Sequence, residues 1–285
     1  MTFSIVAHDR ATSQWGVAVQ SKFLAAAAVV PFAEADIGAL ATQAYANTAY
    51  GPRGLELMRL GLAADDVLRE LIKNDGQREK RQLGLVDSQG HAAAFTGREC
   101  MEWAGHIVGD GFCCQGNILA SKLVVAEMAR AFEHTQGALA ARLIAALVAG
   151  QVAGGDRRGQ QSAGVLVVQA RGGYGGYNDR LIDLRVDEHA TPIAELERIY
   201  RLQQLYFGKP RQEDLLPIEG ELARELQRIA QRAGYYTGAL TGEWDADTRV
   251  AFTRLIHTEN LEEREQPDDT VDRVVVEFLR ERFGG

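Results

Sequence analysis

The sequence is poor in cysteine and proline, with three cysteines and six prolines among its 285 residues. The three cysteines, Cys100, Cys113 and Cys114, cannot all pair within one chain, and they lack the spacing of a zinc site. We therefore expect reduced thiols that pack as small apolar side chains in a reducing compartment.

Long hydrophobic runs are also missing. The longest uncharged apolar run covers residues 23–33 and contains Pro31, whereas a membrane-spanning helix needs about 20 apolar residues. The first residues have neither a basic start nor an apolar stretch long enough for a secretory signal. We expect no membrane contact, and the predicted location is the cytoplasm.

Positive charge is in deficit, because 31 Lys and Arg stand against 39 Asp and Glu, for a net charge of -8. This balance disfavours nucleic acid as a partner. The six histidines lack the spacing of a metal site. The glycine cluster at residues 172–176 lacks the Lys-Ser/Thr of a phosphate-binding loop. We expect neither a metal nor a cofactor.

The composition that remains, 46% hydrophobic and 25% charged residues, is typical of a globular protein with one large domain and a smaller one. Hydrophobic periodicity and turn residues divide the chain into strands and helices. The predicted strands cover residues 3–7, 15–21, 27–30, 37–43, 82–87, 91–96, 162–170 and 181–186. The predicted helices cover residues 52–60, 64–73, 121–134, 138–149 and 192–206.

The predicted helices of the main body come in pairs between groups of strands, and this order favours antiparallel sheets covered by helices. We predict an α+β fold, a four-layer αββα sandwich followed by a small all-α domain. The predicted boundaries are 1–210 for the sandwich, 211–217 for a polar, proline-bounded linker and 218–285 for the helical domain.

Thr2 is the leading candidate for a catalytic nucleophile. A small residue after the initiator methionine permits removal of Met1, which would give Thr2 a free α-amine beside its hydroxyl. An amine of pKa about 7.7 to 8.0 can take the proton of that hydroxyl. Ser21 and Lys22 end the next strand, and Lys22 is expected near the amine. The alternative is that Lys22 is a solvated strand end.

Three further residues are candidates for substrate contacts. Asn47 and Asn117 lie beside predicted turns and could donate side-chain N–H groups to an oxyanion, although asparagine in a turn usually serves its own backbone. Arg53, near a helix start, could bind a substrate carboxylate through its planar guanidinium. A structural ion pair is the alternative for Arg53.

Several motifs also resemble a known family. They read GVAVQSKF at residues 16–23, YGPRGLEL at 50–57, QGNIL at 115–119 and GDRRGQQS at 155–162. The first 210 residues resemble the domain of unknown function 1028 family, which is Ntn-hydrolase-like. The resemblance implies the αββα fold of N-terminal-nucleophile hydrolases, the superfamily of proteasome β-subunits and several amidases.

The wider superfamily also suggests residue roles. Gln20 stands where proteasome β-subunits place a catalytic aspartate, and residues 23–33 contain no lysine, so Lys22 would have to replace their catalytic lysine. The loop 156–162 is similar in placement to the proteasome loop that carries an aspartate and a serine towards the terminal amine. The resemblance therefore implies Asp156 and Ser162 as further site residues.

Residues 218–257 resemble a peptidoglycan-binding helical domain. A leading helix is followed by GYYTG at residues 234–238 and TGEW at 241–244. The resemblance implies Tyr235, Tyr236 and Trp244 as ligand contacts, and the alternative is that these aromatic rings fill a small core. Thr241 stands where the pattern commonly has aspartate.

We therefore predict a cytoplasmic N-terminal-nucleophile amidohydrolase that cleaves an amide bond in a small peptide or a cell-wall-derived fragment, with Thr2 as nucleophile. The alternative is a non-catalytic binding protein that recognises a peptidoglycan-like ligand or a protein partner through its C-terminal domain. A homo-oligomer is expected, because related folds often assemble.

Overall fold

The computed structural model describes residues 2–267 and 269–284. The chain divides into two compact units, the first ending at Arg198 and the second beginning at Ile199. The strands of the first unit are β1 Thr2–Asp9, β2 Gln14–Ser21, β3 Pro31–Glu34, β4 Gly38–Ala44, β5 Arg81–Asp87, β6 Ala92–Thr96, β7 Gly105–Gly109, β8 Phe112–Asn117, β9 Ser162–Val168 and β10 Arg180–Val186. Its helices are α1 Tyr50–Arg59, α2 Ala64–Lys73, α3 Leu123–His134 and α4 Leu139–Val152, and α5 Pro192–Phe207 crosses the boundary.

These strands form two antiparallel sheets. The first sheet has the order β10-β9-β2-β1-β8-β7, and the second has the order β3-β4-β5-β6. β1, the strand that begins at Thr2, is an inner strand of the first sheet, between β2 and β8.

Helices cover the outer face of each sheet. On the second sheet, Leu40, Leu83 and Leu85 point outward and share one core with Val67 and Leu71 of α2. Alternating residues of the same strands point inward, because successive side chains of a strand lie on opposite faces.

α4 packs closely on the first sheet and on α3, because glycine stands at both contacts. A Cβ atom on Gly16 would lie 2.6 Å from Leu143 Cδ1, and one on Gly150 would lie 2.7 Å from Met128 Cγ. With the two sheets stacked on each other, this arrangement confirms the predicted αββα layers.

Most of the predicted elements are confirmed, but the strand predicted at residues 27–30 is wrong. Ala26–Ala28 form a 3-10 turn, and strand β3 starts only at Pro31. Ala25 has a φ of 50°, which breaks an extended path, and the backbone N–H of Ala26 donates to Ser162 Oγ at 3.0 Å. A side-chain hydrogen bond from a residue distant in the sequence therefore replaces strand pairing.

The β7–β8 hairpin was not predicted. Its strands carry three glycines, Gly105, Gly109 and Gly116, which weaken a strand pattern. The Asp110-Gly111 pair at its turn is a hairpin signal of the sequence.

The second unit holds three further helices, α6 Gly220–Arg232, α7 Ala246–Thr258 and α8 Arg273–Phe283. Leu226, Leu255 and Leu279 are fully buried in its core. The residues predicted as a linker contain a strand, β11 Leu215–Pro217, which pairs antiparallel with β12 Thr270–Asp272. Within the described residues, no helix combines the length and apolar character needed to cross a membrane.

Candidate functional site

Four predicted site residues lie in one row across the first sheet. Thr2 pairs with Asn117 of β8 on one side and with Ser21 of β2 on the other, and Ser21 pairs with Ser162 of β9. Residues directly opposite each other in antiparallel strands share a face. All four side chains therefore lie at the same end of the first sheet, a row that spans about 14 Å at the usual strand spacing.

This row faces the second sheet, at the polar end of the layer between the sheets. Thr2 is 6% exposed, and its Oγ1 lies 3.0 Å from Ser21 Oγ. The Thr2 carbonyl accepts a hydrogen bond from Gln43 Nε2 of the second sheet at 3.3 Å. Thr2 is thus held between the two sheets with its hydroxyl beside a second hydroxyl.

Gln82 of β5 organises the uncharged network around Thr2. Its Oε1 accepts hydrogen bonds from Gln43 Nε2 and Asn117 Nδ2, each at 2.9 Å. Its Nε2 donates to the Gly116 carbonyl at 2.8 Å. Gln82 is fully buried, so these bonds fix the position of the Asn117 amide beside the Thr2 strand.

The next inward positions continue the network. Ser4 Oγ donates to Gln43 Oε1 at 2.6 Å and accepts from Gln115 Nε2 at 2.7 Å. Beyond Ser4 the layer becomes apolar, with Val6 and Val17 in one buried cluster. The hydrogen-bonded network of amides and hydroxyls therefore lies at the Thr2 end of the layer between the sheets.

The structure places Lys22 and Asp156 together at the rim of this end. Asp156 accepts the Lys22 backbone N–H at 3.0 Å and the Arg158 backbone N–H at 2.9 Å. The side chain of Lys22 reaches elsewhere, because its Nζ donates to the Gln160 carbonyl at 3.1 Å. Asp156, whose side chain is fully buried, ties the loop after α4 to the end of β2.

Ser162 is occupied by local contacts. Its Oγ donates to the Phe23 carbonyl at 2.6 Å, in addition to accepting the Ala26 N–H. It closes the turn after β2, one strand further from Thr2 than Ser21.

A cavity of about 440 Å³ opens beside Asn117. It is lined by Ala44, Tyr45, Gln77, Lys80, Glu99, Cys100, Met101, Asn117 and Ile118. Its volume is within the range of small-molecule sites. Asn117 joins this cavity to the Thr2 row.

Backbone hydrogen bonds fix the cavity walls. The Tyr45 N–H donates to the Lys80 carbonyl at 3.2 Å, and the Glu99 N–H donates to the Glu79 carbonyl at 2.7 Å. The Ile118 N–H donates to the Met101 carbonyl at 2.9 Å. The three wall segments are therefore held in place by the protein itself.

Two non-glycine residues of the cavity wall have left-handed backbones. Ala44, at the end of β4, has a φ of 67°, and Ile118, just after β8, has a φ of 50°. Such positions cost on the order of 1 kcal/mol or more, and they cluster at functional sites.

A partly buried ion pair supports the same wall. Asp75 accepts from Arg81 Nε at 2.9 Å and from the Tyr50 hydroxyl at 2.7 Å, and Arg81 donates to the Tyr45 carbonyl. The Arg81 hydrogen bond holds the pKa of Asp75 well below its ordinary value. Burial and the hydrogen bond to Asp75 raise the pKa of Tyr50.

Asn47 and Arg53 are not in contact with Thr2. Asn47 Oδ1 accepts the Ala49 N–H at 3.2 Å, and its Nδ2 donates to Asp75 at 3.4 Å. Arg53 forms an exposed ion pair with Glu56 at 2.7 Å on α1.

In the second unit, Trp244 lines a cavity with a volume of about 230 Å³. Its ring packs edge-on against Phe252. Tyr236 is 8% exposed and donates from its hydroxyl to the Ala239 carbonyl at 3.0 Å, while Tyr235 packs against the core. Thr241 accepts the Glu243 N–H at 3.1 Å and so shapes the turn.

The described residues show buried cysteines and no cluster of metal-ligand side chains. All three cysteines are buried, and burial raises the pKa of Cys113 to about 12. Across residues 2–267 and 269–284, no three His, Cys, Asp or Glu side chains are grouped as metal ligands.

Sequence reasoning missed the amides behind Thr2 and the cavity walls. Gln43 and Gln82 pair with each other at the inward positions of β4 and β5 nearest the Thr2 end, and Gln115 lies one inward position before Asn117 on β8. Polar residues that interrupt an otherwise apolar face were the available signal.

Comparison with known proteins identifies both parts of the chain. Residues 2–196 match the family model described as "Family of unknown function (DUF1028)". The chain belongs to this family. A crystal structure of a family protein from Silicibacter pomeroyi is 32% identical, the match covers 71% of this chain and 89% of that one, and the TM-score is 0.65.

Residues 206–279 match the model described as "Putative peptidoglycan binding domain". The resemblances to these two families are thus confirmed, and the relationship to N-terminal-nucleophile hydrolases stays a prediction. The comparison with curated proteins gives no match.

Proposed function

We propose that this member of the DUF1028 family is an N-terminal-nucleophile hydrolase that cleaves an amide bond in a small peptide or a cell-wall-derived fragment. Thr2 Oγ1 is the nucleophile and the Thr2 α-amine is the base. The observation that carries the proposal is the position of Thr2, at the polar end of the layer between the sheets and next to a preformed cavity.

The proposal requires that Thr2 become the first residue of the mature chain. Removal of Met1, or of anything else that precedes Thr2, frees the α-amine. An α-amine is partly neutral near pH 7.7 to 8.0, about its ordinary pKa, so it can accept the hydroxyl proton within its own residue.

The reaction runs through an ester on Thr2. The Oγ1 attacks the amide carbon as its proton moves to the α-amine, and the carbonyl oxygen becomes an oxyanion. The C–N bond then breaks, and the leaving nitrogen takes the proton from the amine. Water attacks the ester, the amine takes and returns its proton, and Thr2 Oγ1 leaves as a hydroxyl.

Asn117 is the best-positioned donor for the oxyanion. Its Nδ2 carries two hydrogens, one of which binds Gln82 Oε1 at 2.9 Å. The second hydrogen can bind the oxyanion, a class of contact that contributes about 3 to 4 kcal/mol to acyl transfer. Lys22 is a rim residue in this proposal, because its Nζ binds the Gln160 carbonyl.

The test combines mass and activity. The intact mass of the natively expressed protein identifies the first residue, and amide hydrolysis is followed with a panel of dipeptides and cell-wall muropeptides. Thr2→Ala is expected to lower kcat/KM at least about 10³-fold, because the nucleophile is lost. Thr2→Ser keeps a hydroxyl and an amine and is expected to retain activity.

Two results would refute the hydrolase. One is a mature protein that keeps Met1 quantitatively, and the other is unchanged turnover in the Thr2→Ala variant. Asp110→Ala is the control for nonspecific loss of activity. Asp110 is exposed and lies in the turn between β7 and β8, far along β1 from Thr2.

The second unit favours a second function, binding of a peptidoglycan-related ligand. The supporting observations are the match of residues 206–279 and the cavity beside Trp244. Trp244→Ala is expected to reduce co-sedimentation of the protein with insoluble peptidoglycan. Tyr177→Ala, which removes an exposed ring of the first unit, is the matched control. Equal sedimentation of the two variants would count against this function.

A further inference from the structure

The cavity beside Asn117 carries one residue of each charge at its wall. Lys80 and Glu99 both line it, and both are exposed. In the described part of the chain, neither the Lys80 ammonium nor the Glu99 carboxylate has a hydrogen-bond or ion-pair partner. The charged neighbours behave differently, because Arg81 pairs with Asp75 and Arg78 with Glu79.

The backbone brings these two charges to the same opening. Glu79 accepts the Glu99 N–H at 2.7 Å, and the next residue, Lys80, accepts the Tyr45 N–H at 3.2 Å. Lys80 and Glu99 therefore come from adjoining wall segments that are hydrogen-bonded through residues 79 and 80. The two charged side chains thus line the same cavity from adjoining segments, and no ion pair joins them in the described residues.

Apolar side chains make up most of the remaining wall, which also carries Gln77 and Asn117. Tyr45 is 65% exposed and Met101 is 67% exposed, and both line the cavity. Large side chains with this exposure at a concave surface are typical of a binding site.

We propose that this cavity binds a short zwitterionic peptide. The free ammonium of the ligand binds Glu99, its free carboxylate binds Lys80, and an apolar side chain packs against Tyr45 and Met101. A ligand with one charge would leave the other wall residue without a partner. A volume of about 440 Å³ suits a ligand of dipeptide size. The assignment of this ligand as a substrate rests on the proposed function of Thr2; its binding does not.

Binding is measured by calorimetry on the full chain carrying Thr2→Ala, so that no turnover occurs. The probes are L-leucyl-L-leucine and two derivatives, N-acetyl-L-leucyl-L-leucine and L-leucyl-L-leucine amide. We expect the free dipeptide to bind and each blocked derivative to bind about fivefold more weakly, the size of one partly exposed charge contact.

Wall variants make the assignment of each charge specific. Lys80→Gln is expected to weaken the free dipeptide about fivefold and to leave the affinity of the amide derivative unchanged, because that derivative has no carboxylate. Glu99→Gln is expected to weaken the binding of the free dipeptide about fivefold. It should leave the affinity of the N-acetyl derivative unchanged, because that derivative has no ammonium group. Lys73→Gln and Glu70→Gln, which alter an exposed pair on α2, are the matched controls.

The outcomes separate this inference from the hydrolase. Absence of dipeptide binding, or equal binding of all three probes, overturns the zwitterion site even if Thr2 hydrolyses another amide. Specific binding in the Thr2→Ala chain, together with a lack of dipeptide turnover in the chain whose Thr2 amine is free, supports the site and overturns the assignment of this ligand as a substrate.

Discussion

The two ends of the layer between the sheets are built by the same strands and differ in chemistry. At the far end, Val6 and Val17 lie in an apolar cluster. At the near end, the same inward face carries Thr2 and Ser21 with buried amides behind them. Apolar packing would stabilise both ends, so the buried network of amides and hydroxyls at the near end indicates a functional demand there.

The largest expected effect comes from truncation of Gln82, the residue at the centre of the near-end hydrogen-bond network. Gln82→Ala removes the acceptor of Gln43 and Asn117 and the donor to the Gly116 carbonyl. We expect the free energy of unfolding to fall by about 4 kcal/mol, because buried polar groups lose their partners. Urea unfolding measures the change.

Gln89→Ala, at a turn near the far end, serves as the control and should change the free energy of unfolding by less than about 0.5 kcal/mol. A Gln82→Ala effect as small as that of Gln89→Ala would mean that the Gln82 network does not stabilise the fold.

The Asp75–Arg81 pair makes the near end sensitive to acid. The Arg81 hydrogen bond lowers the pKa of Asp75 from its ordinary value of 3.8, so the native state binds fewer protons than the unfolded state. This stabilisation is present above pH 3.8 and is lost as pH falls through the native pKa. Asp75→Asn is expected to cost about 3 kcal/mol at pH 7, since it leaves Arg81 without its charge partner.

The measurement is urea unfolding of wild type and Asp75→Asn at several pH values. The difference between them should shrink as pH falls below 3.8. Asp110→Asn breaks only an exposed pair with Arg10 and should cost less than about 1 kcal/mol. A constant difference at all pH values would contradict the role of the Asp75 charge.

An isosteric exchange on β1 compares the two ends directly. Val6→Thr places a hydroxyl among apolar side chains and should cost about 2 kcal/mol. Thr2→Val removes a hydroxyl whose partner, Ser21, lies among other polar groups, and it should cost about 1 kcal/mol or less. Thermal unfolding of both variants checks the order. Equal costs would show that the two ends are energetically alike.

The architecture was largely predictable, because it depends on local patterns. Alternating strands and paired helices predict αββα, and the α2 bounds match residues 64–73. The strand at residues 27–30 failed because a tertiary contact, the hydrogen bond from the Ala26 N–H to Ser162 Oγ, fixes that turn. No local pattern reports a partner more than a hundred residues away.

The candidate site was predictable only in part. Thr2, Ser21 and Asn117 stand at strand ends and were found from the sequence, but their alignment in one row depends on strand register. The cavity depends on three separate wall segments and on the left-handed backbone of Ile118, which a β-branched residue rarely adopts.

The smallest expected effect on stability comes from His8, which makes the far end of β1 sensitive to pH. At the far end of β1 its ring stacks on Trp15, with centroids 4.3 Å apart. Burial, and secondly Arg10, lower its pKa from 6.5. The neutral form is favoured in the native state, so stability is complete above pH 6.5 and declines as pH falls through the native pKa.

His8→Phe keeps an aromatic stack and should reduce the change of the thermal unfolding midpoint with pH between pH 7 and about pH 5. His134→Phe, at an exposed helix end, is the control and should leave the slope unchanged. If His8→Phe has the same pH slope as wild type, His8 is not the titrating group.

Covalent capture tests the central role of Thr2 most directly. The chain with a free Thr2 amine is treated with a peptidyl β-lactone, and the modified residue is located by tandem mass spectrometry. The account predicts one adduct, an ester on Thr2, that is absent from Thr2→Ala and from chain that retains Met1. A chain that begins at Thr2 and remains unmodified there, or that is labelled equally in the Thr2→Ala variant, would contradict it.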